Sequence, residues 1–307
     1  MKKLLLLTVM FPMVANADVL GLDDALRSTY VYCVGIDDEL ADLKKMAGIN
    51  TAVTAVGTGL GAGATVVGVV KANKDAKARV IAETTNYAKE KAKEVLDPEA
   101  RKKWLAEWDK ADFEKDFKEL RDQSKKLGHW RTGLMAGNTA TNIAGAIIAG
   151  NNKVDEDLQT QIGNCKAAVK NLRESIMQAR MNGEDVTEAN NIVEACSEFN
   201  YVDVSSINDK AKGAMISSIV GAATGVAGTV TSAVANSETI RKDKAGMDMK
   251  EKTAADWDKE ENWNTAANVL AGTSTVASGV ATVFNATQIS AIKKVANVAS
   301  KCTEVLK

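Results

Sequence analysis

Four stretches of this sequence, 49–70, 132–152, 213–237 and 262–292, hold no charged residue and are built mainly from Gly, Ala, Thr, Ser and Val. Each is close to the roughly 20 residues that a helix needs to cross a bilayer. Few folds accommodate such a chain, which has to bring four helix-length, small-residue surfaces together, in lipid or in a common core. A densely charged stretch, 71–131, separates the first pair, and a shorter one, 238–261, separates the second. Cysteines bracket both pairs: the order Cys33, apolar, charged, apolar, Cys165 recurs as Cys196, apolar, charged, apolar, Cys302. Trp130 and Trp263 stand at the start of the second apolar stretch in their respective halves. Recurrence of the whole order reads as an internal duplication, with a first half over 18–183 and a second over 184–307.

Local signals are helical throughout. Asp97 suits an N-cap, Pro98 the first helical position and Glu99 the first turn. Opposite charges recur at helix spacing, Glu114 with Lys118 and Asp122 with Lys126. Asn182-Gly183 fits a helix stop, and Asp185 with Glu188 a capping-box-like restart. No stretch sustains the period-two alternation of a half-buried strand. The expected fold is all-α: two tandem long antiparallel α-hairpins forming one small-residue, glycine-zipper-like four-helix bundle.

That fold makes a prediction about the cysteines. Cys33 lies 64 residues before Asp97, and Cys165 lies 67 residues after Pro98. Two helices of equal rise per residue that turn at Asp97-Pro98 bring these cysteines side by side. A turn at 246–249 does the same for the second half, with Cys196 and Cys302 each 53 residues from Met249. Of the three possible connectivities, Cys33–Cys165 with Cys196–Cys302 is the one expected.

Small residues recur every four positions in each charge-free stretch: Gly57, Gly61, Thr65; Gly133, Gly137, Thr141, Gly145; Ser217, Gly221, Gly225, Thr229; and Ala267, Ala271, Thr275, Gly279. This spacing keeps them on one helix face, where missing side chains let backbones approach. A glycine costs about 1 kcal/mol against alanine inside a helix, so this many call for a packing role.

Residues 1–17 read as a secretory signal peptide, with Lys2 and Lys3, an apolar run from Leu4 to Val14, and Ala15-Asn16-Ala17 as the cleavage site. Export across the inner membrane into the cell envelope follows as an expectation, and with it an oxidising compartment and paired cysteines. Two settings then compete for the four stretches. In a membrane they are four spans, Trp130 and Trp263 are interfacial anchors, and flanking cations such as Lys71, Lys74, Arg131 and Arg241 stay on the cytoplasmic side. In water they are the core of a soluble, disulfide-stapled bundle, a reading supported by Asn138 and Asn142 in the second stretch. The membrane reading is favoured.

Catalytic equipment is not apparent. His129 is the single histidine, no cysteines are spaced as CxxC, and neither a P-loop nor a G-x-S-x-G elbow occurs. No catalytic residue, cofactor or metal is expected. With Lys+Arg 39 and Asp+Glu 40 the chain has no basic field for nucleic acid, and no small-molecule substrate is evident. Trp104 with Trp108, and Phe113 with Phe117, share helix faces and read as tip core rather than as a partner patch. The expected role is structural or interaction-mediating, with a protein partner or self-association. A secreted pore-forming or membrane-inserting effector is the alternative.

Overall fold

A computed structural model describes residues 21–109, 113–244 and 252–307. The expected signal peptide, the expected turn at 246–249 and the side chain of Trp108 lie outside the described residues. Among those residues the chain is all-α, with no strand. In order the helices are α1 (Leu22–Cys33), α2 (Ile36–Val95), α3 (Pro98–Asp109), α4 (Phe113–Asn151), α5 (Glu156–Met181), α6 (Thr187–Cys196), a 3-10 turn (Ser197–Tyr201), α7 (Ser205–Lys244) and α8 (Ala254–Glu304).

Local chemistry sets the boundaries. The Asp97 carboxylate accepts from the backbone N–H groups of Glu99 and Ala100, each at 2.9 Å, and opens α3. Asp155 does the same for α5, accepting from Leu158 N at 2.8 Å. Gly35 and Gly183 take φ of 92° and 78°, left-handed values that let the chain turn after α1 and after α5. The expected capping box at Asp185 is not formed, because Val186 occupies the N-cap of α6. Asp185 instead accepts from the N–H and hydroxyl of Thr187, a local turn ahead of the helix.

The chain divides into two compact units that draw on both halves of the sequence. Of the described residues, the first comprises 21–40, Asp155–Asp203 and Lys294–Lys307, and the second comprises those within Ala41–Val154 and Val204–Lys293. In the first unit α1 and α6 pack on α5. Its core is an ordinary apolar one, with Leu158, Ile162, Val169, Leu172, Ile176, Ile192 and Phe199 all buried. Cys33 is bonded to Cys165 and Cys196 to Cys302, with Cα–Cα distances of 4.9 and 4.5 Å.

In the second unit α2, α4, α7 and α8 meet in register. Asn50 bonds Asn285 and Asp75 bonds Asn264, so steps up α2 are matched by steps down α8. Gly57 faces Thr141, and Gly145 faces both Thr54 and Ser218. Gly221 faces Asn142, and Ser274 donates to the Gly221 carbonyl at 2.8 Å. Neighbouring helices in the sequence order α2, α4, α7, α8 therefore run antiparallel, and the four charge-free stretches stand at the same height. Buried positions step alternately by three and four: 54, 57, 61, 64, 68, 71 on α2 and 264, 267, 271, 274, 278, 281 on α8. This is the 3.5-residue period of left-handed supercoiling.

The four-residue stripes drift across that seam. Gly57, Gly61, Gly145, Gly221 and Gly225 are buried at close approaches, whereas Gly137 approaches only Leu60, Gly279 makes ordinary contact with Thr58, and a Cβ at Gly133 would meet no atom within 4 Å. At Gly221 a Cβ would come within 2.7 Å of the Asn142 side chain, and at Gly225 within 3.3 Å of the Thr139 Cα. Replacing both glycines with leucine is expected to cost about 1–3 kcal/mol per site, despite a gain of up to about 1 kcal/mol each in helix propensity. The control pair, Ala222→Leu and Val226→Leu, lies off the buried seam and should be milder. Thermal unfolding of the two double variants decides between packing and composition; equal stability would reduce the glycines to composition.

Candidate functional site

The second unit differs from the first in what it exposes and what it buries. Along its charge-free height large apolar residues face outward among alanine, glycine and threonine: Val56, Val66 and Val69 on α2, Ile143 and Ile147 on α4, Ile216, Val226 and Val230 on α7, and Val269, Val276 and Val283 on α8 are all exposed. The inward positions mix glycine, alanine and Met135 with a row of polar side chains. Asn138 donates to Ser274 at 2.8 Å, Asn142 donates to Asn138 Oδ1 at 2.9 Å, and Ser278 donates to Asn142 Oδ1 at 3.0 Å. Farther along, Asn50 donates to Asn285 Oδ1 at 2.9 Å, and Gln288 donates to the Asn152 carbonyl at 2.7 Å. All of these amides and hydroxyls are buried. The result is a hydrogen-bonded polar spine wrapped in a valine and isoleucine belt that is about 20 residues, or roughly 30 Å, tall.

Just beyond the charge-free stretches the spine ends in a buried ion network. Arg121 reaches Glu260 through both terminal nitrogens, at 2.9 and 3.1 Å, and Asp75 at 3.0 Å. Lys71 donates to Asp75 at 2.6 Å, and Ser124 and Asn264 also donate to that carboxylate. Lys252 and Thr239 donate to Glu260. Arg131 closes the network through the side-chain carbonyls of Asn264 and Asn268, at 3.1 and 3.2 Å. Gly68 makes the room for this, since a Cβ there would run into Asn268 and Arg131.

Trp257 roofs the cluster, with Lys252 at 3.5 Å and Arg121 at 5.1 Å from its ring centroid. Phe117 meets it edge-on at 6.3 Å, above Ala78 and Ala82. Burial by itself raises the Glu260 carboxyl, but Arg121 and Lys252 outweigh it and hold the group down at about 2. Each carboxylate thus serves several donors at once, the arrangement of a held counter-ion.

The other expected residues are placed as follows. Trp130 is 68% exposed and Trp263 37% exposed, at the end of the belt that the ion network adjoins. His129 is exposed, with its Nδ1 3.2 Å from Asn236 Nδ2. Phe117 is core, Phe113 is partly exposed and Trp104 half-buried. Among the described residues three helical runs, Leu22–Val95, Ser205–Ile240 and Ala254–Glu304, are long and apolar enough to cross a membrane. Of the four expected spans, that of α4 falls short on hydropathy, lowered by Asn138 and Asn142, and the other three do not.

The spine and the network were missed in the sequence, although a signal for them exists. Lys71, Asp75, Arg121, Ser124, Arg131 and Glu260 continue the three-four register of the buried small residues without a break. No known protein family, no curated protein and no solved structure matches the chain.

Proposed function

We propose that this is an exported, non-enzymatic protein of the cell envelope whose second unit is embedded in the membrane as two tandem antiparallel hairpins with glycine-zipper-like seams. Its role is structural or interaction-mediating. One observation carries the reading: over a bilayer's thickness the large apolar side chains, valine and isoleucine, face outward, while the asparagine and glutamine side chains at the seam face inward among glycine, alanine and serine. Water selects the opposite arrangement, and in lipid polar side chains gain by bonding one another inside the protein. Helix length and apolarity fit membrane association, and the bonded cysteines fit an oxidising compartment. Trp130 and Trp263 then serve as interfacial anchors.

Carbonate washing of membranes from cells expressing the full chain tests the proposal. The protein is expected to stay with the lipid; quantitative release into the wash would overturn the embedded reading. The polar spine favours a second reading, a membrane-inserting effector, because a buried row of amides is a potential path for polar solutes. Purified protein added to dye-loaded liposomes separates the two: leakage supports the effector, and intact vesicles support the resident structural protein.

A further inference from the structure

The sulfur atoms of Cys33, Cys165 and Cys302 all lie within 4.8 Å of one another, yet they belong to two different disulfides. Cys33 ends α1, Cys165 lies within α5, and Cys302 lies near the end of α8. All three are at most 2% exposed, so the helices of the first unit hold the sulfurs together away from solvent. We propose that the first unit contains an intramolecular thiol–disulfide exchange site in which Cys302, once released from Cys196, attacks the Cys33–Cys165 bond.

The chemistry balances in two steps. A dithiol reductant first gives two electrons and two protons to the Cys196–Cys302 bond and is itself oxidised to a disulfide. Cys302 then loses its proton and attacks Cys165 as a thiolate. A Cys302–Cys165 bond forms, the Cys33–Cys165 bond breaks, and the electron pair leaves on the Cys33 sulfur, which takes up the proton. Attack on Cys33 is the mirror case, with Cys165 as the leaving thiol. The second step consumes no further reductant. The covalent tie of the C-terminal end of α8 passes from α6 to α5 or α1, so the two bonds behave as one coupled redox centre rather than as two independent staples.

A metal site is the other use for converging sulfurs, but here each sulfur is already spent in a covalent bond. Cys196 is not among the three mutually close sulfurs, and that asymmetry supplies the control.

Cys196→Ser and Cys302→Ser break the same disulfide and leave different thiols. Full chains of both are purified without reductant, incubated at mildly alkaline pH, alkylated at low pH and mapped as non-reduced peptides. Cys196→Ser is expected to yield Cys302 joined to Cys165 or Cys33, with the displaced cysteine alkylated. Cys302→Ser is expected to keep Cys33–Cys165 and an alkylated Cys196, with several-fold less of any new pair. Equal exchange in the two variants, or only Cys33–Cys165 in both, would overturn the site. Should Cys196→Ser fail to fold, the unsubstituted chain treated with less than one equivalent of a phosphine gives the same reading. Bonded pairs of Cys302 with Cys165 or Cys33 support the proposal, and native pairs alone reject it.

Discussion

Replacing Glu260 with alanine is expected to destabilise the second unit by about 3–5 kcal/mol, the range for removing one partner from a buried ion pair. Glu260 is 2% exposed and takes both arms of Arg121, the ammonium of Lys252 and the hydroxyl of Thr239. Alanine strips the carboxylate from cations that stay buried under Trp257, so desolvation remains while attraction is lost. The neighbouring Glu261 is a matched control. It pairs with Arg79 at 3.2 Å, but its side chain is 69% exposed, and Glu261→Ala should cost no more than about 1 kcal/mol. Chemical denaturation in detergent micelles measures both. Equal effects would show that the buried network is no more than a surface pair in energetic weight.

The same carboxyl sets a pH dependence. Its folded value is held at about 2, below the ordinary 4.5, so the unfolded chain binds its proton more readily than the folded one. The stabilisation is therefore complete above about pH 4.5 and is lost as pH falls from there toward 2. Acid titration of the unsubstituted chain should show this loss, and the Glu260→Gln variant should lack that part of the slope. An unchanged acid limb in the variant would place the acid sensitivity on other groups.

Sequence reasoning reached the all-α class, the Asp97-Pro98 turn and which cysteines lie together, because each rests on local chemistry or on counting residues along two helices. It failed on the interior of the second unit. Hydrophobic periodicity searches for an apolar face turned inward, and on α2 the inward face is Asn50, Thr54, Gly57, Gly61, Ala64, Gly68, Lys71 and Asp75. The apolar signal from Val56, Val66 and Val69 marks the outward face instead. Small-residue stripes stepped by four were a partial cue: they coincide with the seam at Gly57 and Gly61, then drift away because the buried period is 3.5 rather than 4. Charges between the charge-free stretches do not announce their side of the helix either. Partly exposed Arg79 pairs with exposed Glu83, but Asp75 and Arg121 sit on the seam register, where a helix-spaced charge points inward.

Placing an arginine on the outward face is expected to separate lipid from water more sharply than any change inside. Val226 and Val276 lie near the middle of their charge-free stretches and are 50% and 67% exposed. In water, Val→Arg at such positions falls within about 0.5 kcal/mol of neutral, since no buried group is touched. At the centre of a bilayer each arginine costs about 2.5–3.5 kcal/mol on insertion scales. The double variant Val226→Arg/Val276→Arg should therefore lose membrane retention in the carbonate wash, or be degraded before insertion. Val80 tests whether position matters rather than arginine itself: it is 60% exposed on α2 but lies outside the charge-free stretches, and Val80→Arg should be retained like the unsubstituted chain. Trp130 and Trp263 mark one end of the same belt, so moving a single arginine from Val226 toward Val230 should lessen the penalty as the guanidinium comes within reach of the interface. If the double variant partitions and unfolds like the unsubstituted protein, the belt faces water and its inverted polarity needs another cause.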